Sequence, residues 1–277
     1  MTKRSSSLPK DLMDLSVIEK YLQPNCLANK KALVTGTRAH SIGYAIALVL
    51  GKYCGAEVCI HAEDSKTLNE SKKLLKQAGL NCAGYIADFR KMQEGKSLGK
   101  KIAKEHGAID LLIHNAGWTL VEDYLDLSQK QIEEVFALNL LTPNLLTKEL
   151  LPEMLKQGSG RIVCLSSVHA HRAAGKTIPY AMTKAAILAW VRGLATRFGP
   201  DGLRAFAVSP GWVEVKRHFD DAEVASAMRT AGRSQPVRRI AKPTEVAGLV
   251  AFLCTELADY ANGSEVVFDG GRIKQLT

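Results

Sequence analysis

Seven short apolar runs recur along the chain with longer stretches of helical periodicity between them, and nothing else in the sequence narrows the possible folds as far. The runs are Lys31–Thr35, Glu57–His61, Cys82–Ala87, Leu111–His114, Arg161–Leu165, Arg204–Val208 and Glu265–Phe268. Between them Tyr44–Tyr53, Ser65–Ala78, Gly95–His106, Ser128–Lys156, Tyr180–Phe198 and Thr244–Thr255 read as helices. Short continuous apolar runs fit strands covered on both faces, and a helix between two strands is the connection that a parallel pair requires. Right-handed crossovers then place helices on both sides of one sheet. The expectation is an α/β fold, a single doubly wound seven-stranded parallel sheet with helices on both faces. For 277 residues one such sheet encloses one continuous core.

Residues 1–29 precede the first run as an extension. Leu12, Leu15, Ile18 and Leu22 stand at helical spacing until Pro24 and Asn25 interrupt them, which predicts a short helix over Asp11–Tyr21. The catalytic domain is expected over 30–277. No apolar run reaches the ~18 residues that cross a bilayer, and the first ten residues hold no apolar signal core. A cytoplasmic protein without membrane contact is expected. The six cysteines are scattered without a C-x-x-C pair, and Cys59 and Cys164 fall inside apolar runs, so reduced thiols are expected. His169 and His171 have no third ligand nearby, and no metal site is expected.

The net charge of +9 is uneven. Residues 1–31 carry a surplus of basic side chains, and so do 216–242, which include Lys216, Arg217, Arg229, Arg233 and Arg238. Aromatics make up only 6% of the chain and do not interleave with the basic residues, so nucleic acid is not an expected partner. Segment 213–238 lacks strand alternation, reads as one short helix at Ala222–Met228, and is expected to cover the substrate as a mobile lid. Its charge suits an anionic or carrier-bound substrate; a solvated surface helix accounts for it equally well.

Directly after the first run stands Thr35-Gly36-Thr37-Arg38-Ala39-His40-Ser41-Ile42-Gly43, opening into a helix. A glycine-bearing strand-to-helix turn lets backbone approach a pyrophosphate, and the helix start adds free N–H groups and positive potential. Asp88 ends the third run, where its carboxylate can accept from an adenine amino group. His114-Asn115-Ala116-Gly117 ends the fourth, with small residues at the sheet edge where a ligand would cross. Further on, Tyr180 and Lys184 share one helix face at i, i+4 spacing. A phenol of pKa near ~10 is a poor base at neutral pH, and a fixed cation beside it favours the phenolate. Ser167, thirteen residues before Tyr180 at the end of the fifth run, is placed to orient a substrate oxygen towards it.

Taken together, Gly36, Gly43, Asp88, Asn115-Ala116-Gly117, Asn139, Ser167, Tyr180, Lys184 and Pro210-Gly211 resemble the classical short-chain dehydrogenase/reductase family over about residues 30–272. The resemblance implies a Rossmann-like domain, an NADP or NAD cofactor, and hydride transfer between that cofactor and a carbonyl or secondary alcohol. It implies a catalytic set of Asn139, Ser167, Tyr180 and Lys184, with Asn139 holding a proton-relay water. Cofactor contacts are expected from Gly36, Thr37, Arg38, Ser41, Ile42, Gly43, Asp88, Asn115, Ala116, Gly117, Tyr180, Lys184, Pro210, Gly211 and Val213. A homotetramer or homodimer built on the helices around Asn139 and Tyr180 is also implied.

The departures are local. Ser41 stands where the family's turn has its middle glycine, and one residue is inserted, which resembles the turn of enoyl-carrier reductases. Those enzymes space tyrosine and lysine seven positions apart; here the spacing is four. His114 replaces an asparagine and Val215 a threonine. An NAD-selecting acid would stand at Ala62 and an NADP-selecting arginine at Glu63, and neither is present. Arg38 is suited to a 2′-phosphate, whereas Glu63 is suited to bind ribose hydroxyls or to repel that phosphate; the balance leans slightly to NADP. The function expected is an NADPH-dependent ketone reductase of the 3-oxoacyl type. A polyol or sugar dehydrogenase is the alternative, and a cofactor-sensing binding protein without catalysis is the reading from another class.

Overall fold

The computed structural model describes residues 22–215 and 222–274. Its strands are β1 (Lys31–Val34), β2 (Glu57–Ala62), β3 (Ala83–Ile86), β4 (Leu111–His114), β5 (Gly160–Leu165), β6 (Leu203–Pro210) and β7 (Glu265–Phe268). They pair in parallel throughout, in the order β3-β2-β1-β4-β5-β6-β7. The helices are α1 (Ile42–Leu48), α2 (Ser65–Gln77), α3 (Met92–His106), α4 (Gln129–Phe136), α5 (Thr142–Lys156), α6 (Ile178–Phe198), α7 (Ala222–Arg233) and α8 (Pro243–Leu253). The expected doubly wound seven-stranded sheet is what forms.

Alternation along each strand divides the core into two layers. Ala32, Val34, Ile60, Ile113, Val163 and Phe206 face α1 and α8. Leu33, Cys59, Leu112, Ile162 and Ala205 face α3, α5 and α6. Both layers are dry, with these strand residues almost wholly buried, and each large apolar side chain so buried contributes about 1.5–3 kcal/mol. The chain runs outward from β1 through β2 to β3, then returns to place β4 on the other side of β1. That reversal opens a crevice at the carboxyl ends of β1 and β4, where open α/β sheets take their ligands.

Several boundaries differ from expectation. Helix α1 starts two residues early, because Ser41 caps it by accepting from the Tyr44 N–H at 3.2 Å. The single helix expected over Ser128–Lys156 is two helices joined by a π-helical turn at Ala137–Leu141. The apolar periodicity runs on through this break, so composition conceals it; the change lies in the hydrogen-bond ladder, which admits one extra residue. Helix α7 runs on to Arg233. The helix expected over Asp11–Tyr21 lies outside the described residues, as do Lys216, Arg217 and the side chain of Arg229. Of the extension, Leu27 is buried and donates its N–H to the Cys54 carbonyl at 2.8 Å, fastening this stretch to the end of the α1 segment.

Among the described residues no helix is long and apolar enough to cross a membrane, and no cluster of side chains could hold a metal ion. The described cysteines are all free thiols.

Candidate active site

The turn after β1 is held so closely to the loop after β4 that side chains are excluded. Gly36 has φ +70°, and a Cβ on it would lie 2.5 Å from Ala116 Cα; one on Gly43 would lie 2.5 Å from Asn115 Nδ2. Asn115 locks this contact by donating to the carbonyls of Thr35 and Gly36 at 3.0 and 2.9 Å. The Thr35 hydroxyl accepts in return from the N–H groups of Asn115 and Ala116. As at any helix start, the N–H groups of Ile42 and Gly43 lack intrahelical acceptors, which suits them to a pyrophosphate. Bare backbone on both sides of the crevice, with helix amides at its end, is a cradle that fits a dinucleotide.

Several residues expected to touch the cofactor have their side chains committed elsewhere. Thr37 is fully buried, its hydroxyl donating to the Val34 carbonyl and its N–H to the His61 carbonyl. The Ser41 hydroxyl is the helix cap. Asp88 is gripped by Arg90, with Nε and Nη2 each 2.9 Å from a carboxylate oxygen, and this pairing holds its pKa below the usual carboxylate range. Both oxygens expected to face an adenine are thus engaged by protein. Arg38 forms an ion pair with Glu63 at the exposed end of β2, while Ala62 is buried in the core.

One residue here escaped notice in the sequence. His61 is buried in β2, stacked on Phe89 at 4.1 Å. Its Nδ1 accepts from the Gly36 N–H at 3.2 Å, so its Nε2–H donates to the Ala87 carbonyl at 2.8 Å. Burial pushes its pKa down to about 4, so the ring is a neutral brace between the glycine turn and the end of β3. The signal was a lone histidine in an apolar strand, which reads as core until its partners are known.

The residues expected to be catalytic come from three elements. Lys184, on α6, is buried with its ammonium donating to the Leu165 carbonyl at 2.7 Å and lying 5.5 Å from the centre of the Tyr180 ring. Burial lowers its pKa, against the opposing influence of Tyr180. A Cβ on Gly117 would come within 3.4 Å of this ammonium and 3.6 Å of Asn139 Oδ1, so the absence of a side chain there keeps the floor of the crevice open. Ser167 follows β5, its hydroxyl 3.2 Å from His169 Nδ1, and the His169 ring meets Tyr180 edge-on at 5.6 Å. His171 turns away to Glu265 at 2.7 Å, so the two histidines do not converge.

Asn139 sits in the π turn. Its amide accepts from the Trp118 N–H at 2.8 Å and donates to the Trp118 carbonyl and the Thr183 hydroxyl, both at 3.1 Å. The side chain ties the loop after β4 to α6 and keeps one Oδ1 lone pair, 3.6 Å from where a Gly117 Cβ would lie. Thr183 was missed, although its place three residues after Tyr180 puts it on the same helix face. His114 is buried against Trp190, bonded to Thr147 at 2.7 Å, with Nδ1 unpartnered; burial drives its pKa down to about 3. It therefore fills core space behind the crevice. At the other rim, Pro210 ends β6, the Gly211 N–H donates to the Phe268 carbonyl at 3.0 Å, and Val213 is buried, bridging to Ala241. Arg233 and Arg238 are exposed.

Residues 36–272 match the family model described as enoyl-(acyl carrier protein) reductase. The human dehydrogenase/reductase SDR family member 4 is 32% identical over 90% of this chain and 90% of its own length. Oxidoreductase UcpA of Escherichia coli K12 is 32% identical over 88% of this chain and 95% of its own. Among solved structures, L-sorbose reductase from Gluconobacter frateurii, complexed with NADPH and L-sorbose, superposes with a TM-score of 0.83 at 26% identity, covering 90% of this chain and 98% of that one. A strand order that opens a crevice between β1 and β4, a side-chain-free cradle there and a tyrosine–lysine pair beside it agree with these likenesses: the chain belongs to the short-chain dehydrogenase/reductase family of NAD(P)-dependent oxidoreductases.

Proposed function

We propose that the protein is an NADPH-dependent reductase of ketones of the 3-oxoacyl type. The observation that carries this reading is the buried Lys184 ammonium beside the Tyr180 ring, with Ser167 at the neighbouring strand end. When bound, the nicotinamide supplies the hydride that goes to the carbonyl carbon. Ser167 donates to the carbonyl oxygen and orients it; Tyr180 gives that oxygen its phenolic proton. The Lys184 ammonium stabilises the phenolate left behind, in a site dry enough for one charge to act strongly on another. Asn139 ties Trp118 to Thr183 and keeps one Oδ1 lone pair with which to hold a proton-relay water.

Gly36, Arg38, Ser41, Ile42, Gly43, Asn115, Ala116 and Gly117 would line the cofactor, with Thr37 shaping the turn from beneath and Pro210, Gly211 and Val213 forming the far rim. NADP is favoured because the Arg38–Glu63 pair is exposed, and such a pair is worth so little that a 2′-phosphate can recruit the guanidinium. The likeness to a reductase solved with NADPH supports the same cofactor. That protein's sugar substrate also supports the second reading, a polyol or sugar dehydrogenase with the same residues run in reverse. The four-residue spacing of Tyr180 and Lys184 argues against enoyl reduction despite the description of the matching model. Leu141 and Met182, exposed on the π turn and on α6, support a homo-oligomer through these helices.

Purified protein assayed with NADPH and NADH against 3-oxoacyl thioesters, ketoses, polyols and enoyl thioesters is expected to reduce the oxoacyl compounds, faster with NADPH. Turnover of enoyl substrates alone, or of none, overturns the reading.

A further inference from the structure

Arg272 stands just beyond β7, its guanidinium packed 5.1 Å from the centre of the Trp212 ring. Two strand ends bring the pair together: a Cβ on Gly211 would lie 3.0 Å from Asp269 Cα. Asp269 shapes the turn that presents Arg272, its two carboxylate oxygens accepting from the N–H groups of Gly271 and Ile273 at 2.8 Å each. Pro236 and Val237 lean on the same turn, at Gly271 and Gly270. The acids nearby are thus committed, Asp269 to backbone amides and Glu265 to His171 and Ser209. Among the described residues, neither Arg272 nor Arg172 has an ion-pair partner.

The loop after β5 that carries Ser167 and His169 is tied to β7, the strand that leads to Arg272, by the His171–Glu265 pair. His169, bonded to Ser167 and edge-on to Tyr180, has its pKa lowered by burial and then by the charge of Arg272. The Arg272 guanidinium is itself pushed down by burial, partly offset by Asp269, and further by the charge of Arg172. A half-buried guanidinium stacked on an aromatic face, unpaired and fixed by its turn, presents a planar fork of donors that matches a carboxylate.

We propose that Arg272, stacked on Trp212, is a carboxylate-binding subsite of the substrate crevice, so that the protein reduces oxoacyl ketones faster as free acids than as esters or thioesters. The assignment rests on reading Ser167 and Tyr180 as the carbonyl end.

The test compares 2-oxo, 3-oxo and 4-oxo acids with their methyl esters in the presence of NADPH. The wild type is expected to prefer at least one acid over its ester in kcat/KM. Arg272→Met should reduce that acid-to-ester ratio about tenfold or more, the scale of a lost hydrogen bond to a charged group. Arg272→Lys should retain part of the preference, because it keeps the charge and loses the fork. A wild type that prefers no acid, or a ratio that Arg272→Met leaves unchanged, overturns the inference while leaving the reductase reading intact. If the wild type reduces none of these ketones, calorimetry of the same acids and esters on the NADP+-loaded protein decides the subsite. Acid binding that is lost in Arg272→Met supports it; acid binding that is absent or unaffected overturns it.

Discussion

On the β1 side of the crevice Asn115 donates to two carbonyls, Thr35 accepts from two amides and His61 bridges Gly36 to Ala87. On the β5 side the Tyr180 hydroxyl has no protein partner among the described residues, and the Lys184 ammonium has a single carbonyl. The first region satisfies its polar groups internally and so holds its shape before any ligand arrives. The second keeps donors in reserve, at the cost of burying a cation with one hydrogen bond. A binding cradle gains from being finished in advance, whereas a reacting group must have its valences left for the substrate.

The contrast is broken most directly at Tyr180. Tyr180→Phe should lower kcat by a factor of about 10²–10⁴, as expected for a lost proton donor, while NADPH affinity measured by fluorescence titration stays nearly unchanged. A variant that keeps a tenth of the wild-type rate would refute the role, and a collapse of cofactor affinity would show that the two regions are not separate.

A smaller effect is expected at His61, read in stability. His61→Phe strands the Gly36 N–H and the Ala87 carbonyl and should cost about 1–3 kcal/mol in denaturant unfolding at pH 7. The sign of its pH dependence follows from the folded pKa of about 4 against an ordinary 6.5. Between those values the unfolded chain binds more protons, so wild-type stability falls on acidification by up to about 1.4 kcal/mol per pH unit from this group. The variant lacks that contribution, and the gap between the two proteins should narrow from pH 7 to pH 4.5. A constant gap would mean that His61 is not a neutral brace.

The smallest effect lies at the exposed end of β2. Glu63→Gln frees Arg38 from a surface pair worth about 0.2–1 kcal/mol, and should improve the affinity for NADPH relative to NADH by no more than about fivefold. A shift towards NADH would place Arg38 away from the 2′-phosphate.

The central strands were legible because burial on both faces leaves an unmistakable apolar run, and Ser167, Tyr180 and Lys184 because their types and spacing suit one reaction. What escaped was the choice of partner. Asp88 has the right type and position for an adenine, and its pairing with Arg90, two residues on, is what the sequence did not disclose. Thr37 lies in the glycine turn, but its hydroxyl points into the core. Nothing in composition separates a histidine that braces, such as His61, from one that fills space, such as His114; only their hydrogen-bond partners do.

The π turn at Ala137–Leu141 bears on which insertions and deletions the chain tolerates. Removing one residue there would mend the hydrogen-bond ladder and yield a regular helix. It would also rotate everything after it by about 100°, carrying Leu146, Leu150 and Met154 off the sheet that buries them. The irregularity is thus guarded by the core: a lineage that lost the extra residue would lose packing along all of α5, whatever became of Asn139. Drift in length is therefore expected to collect in the loops and termini and to spare this turn.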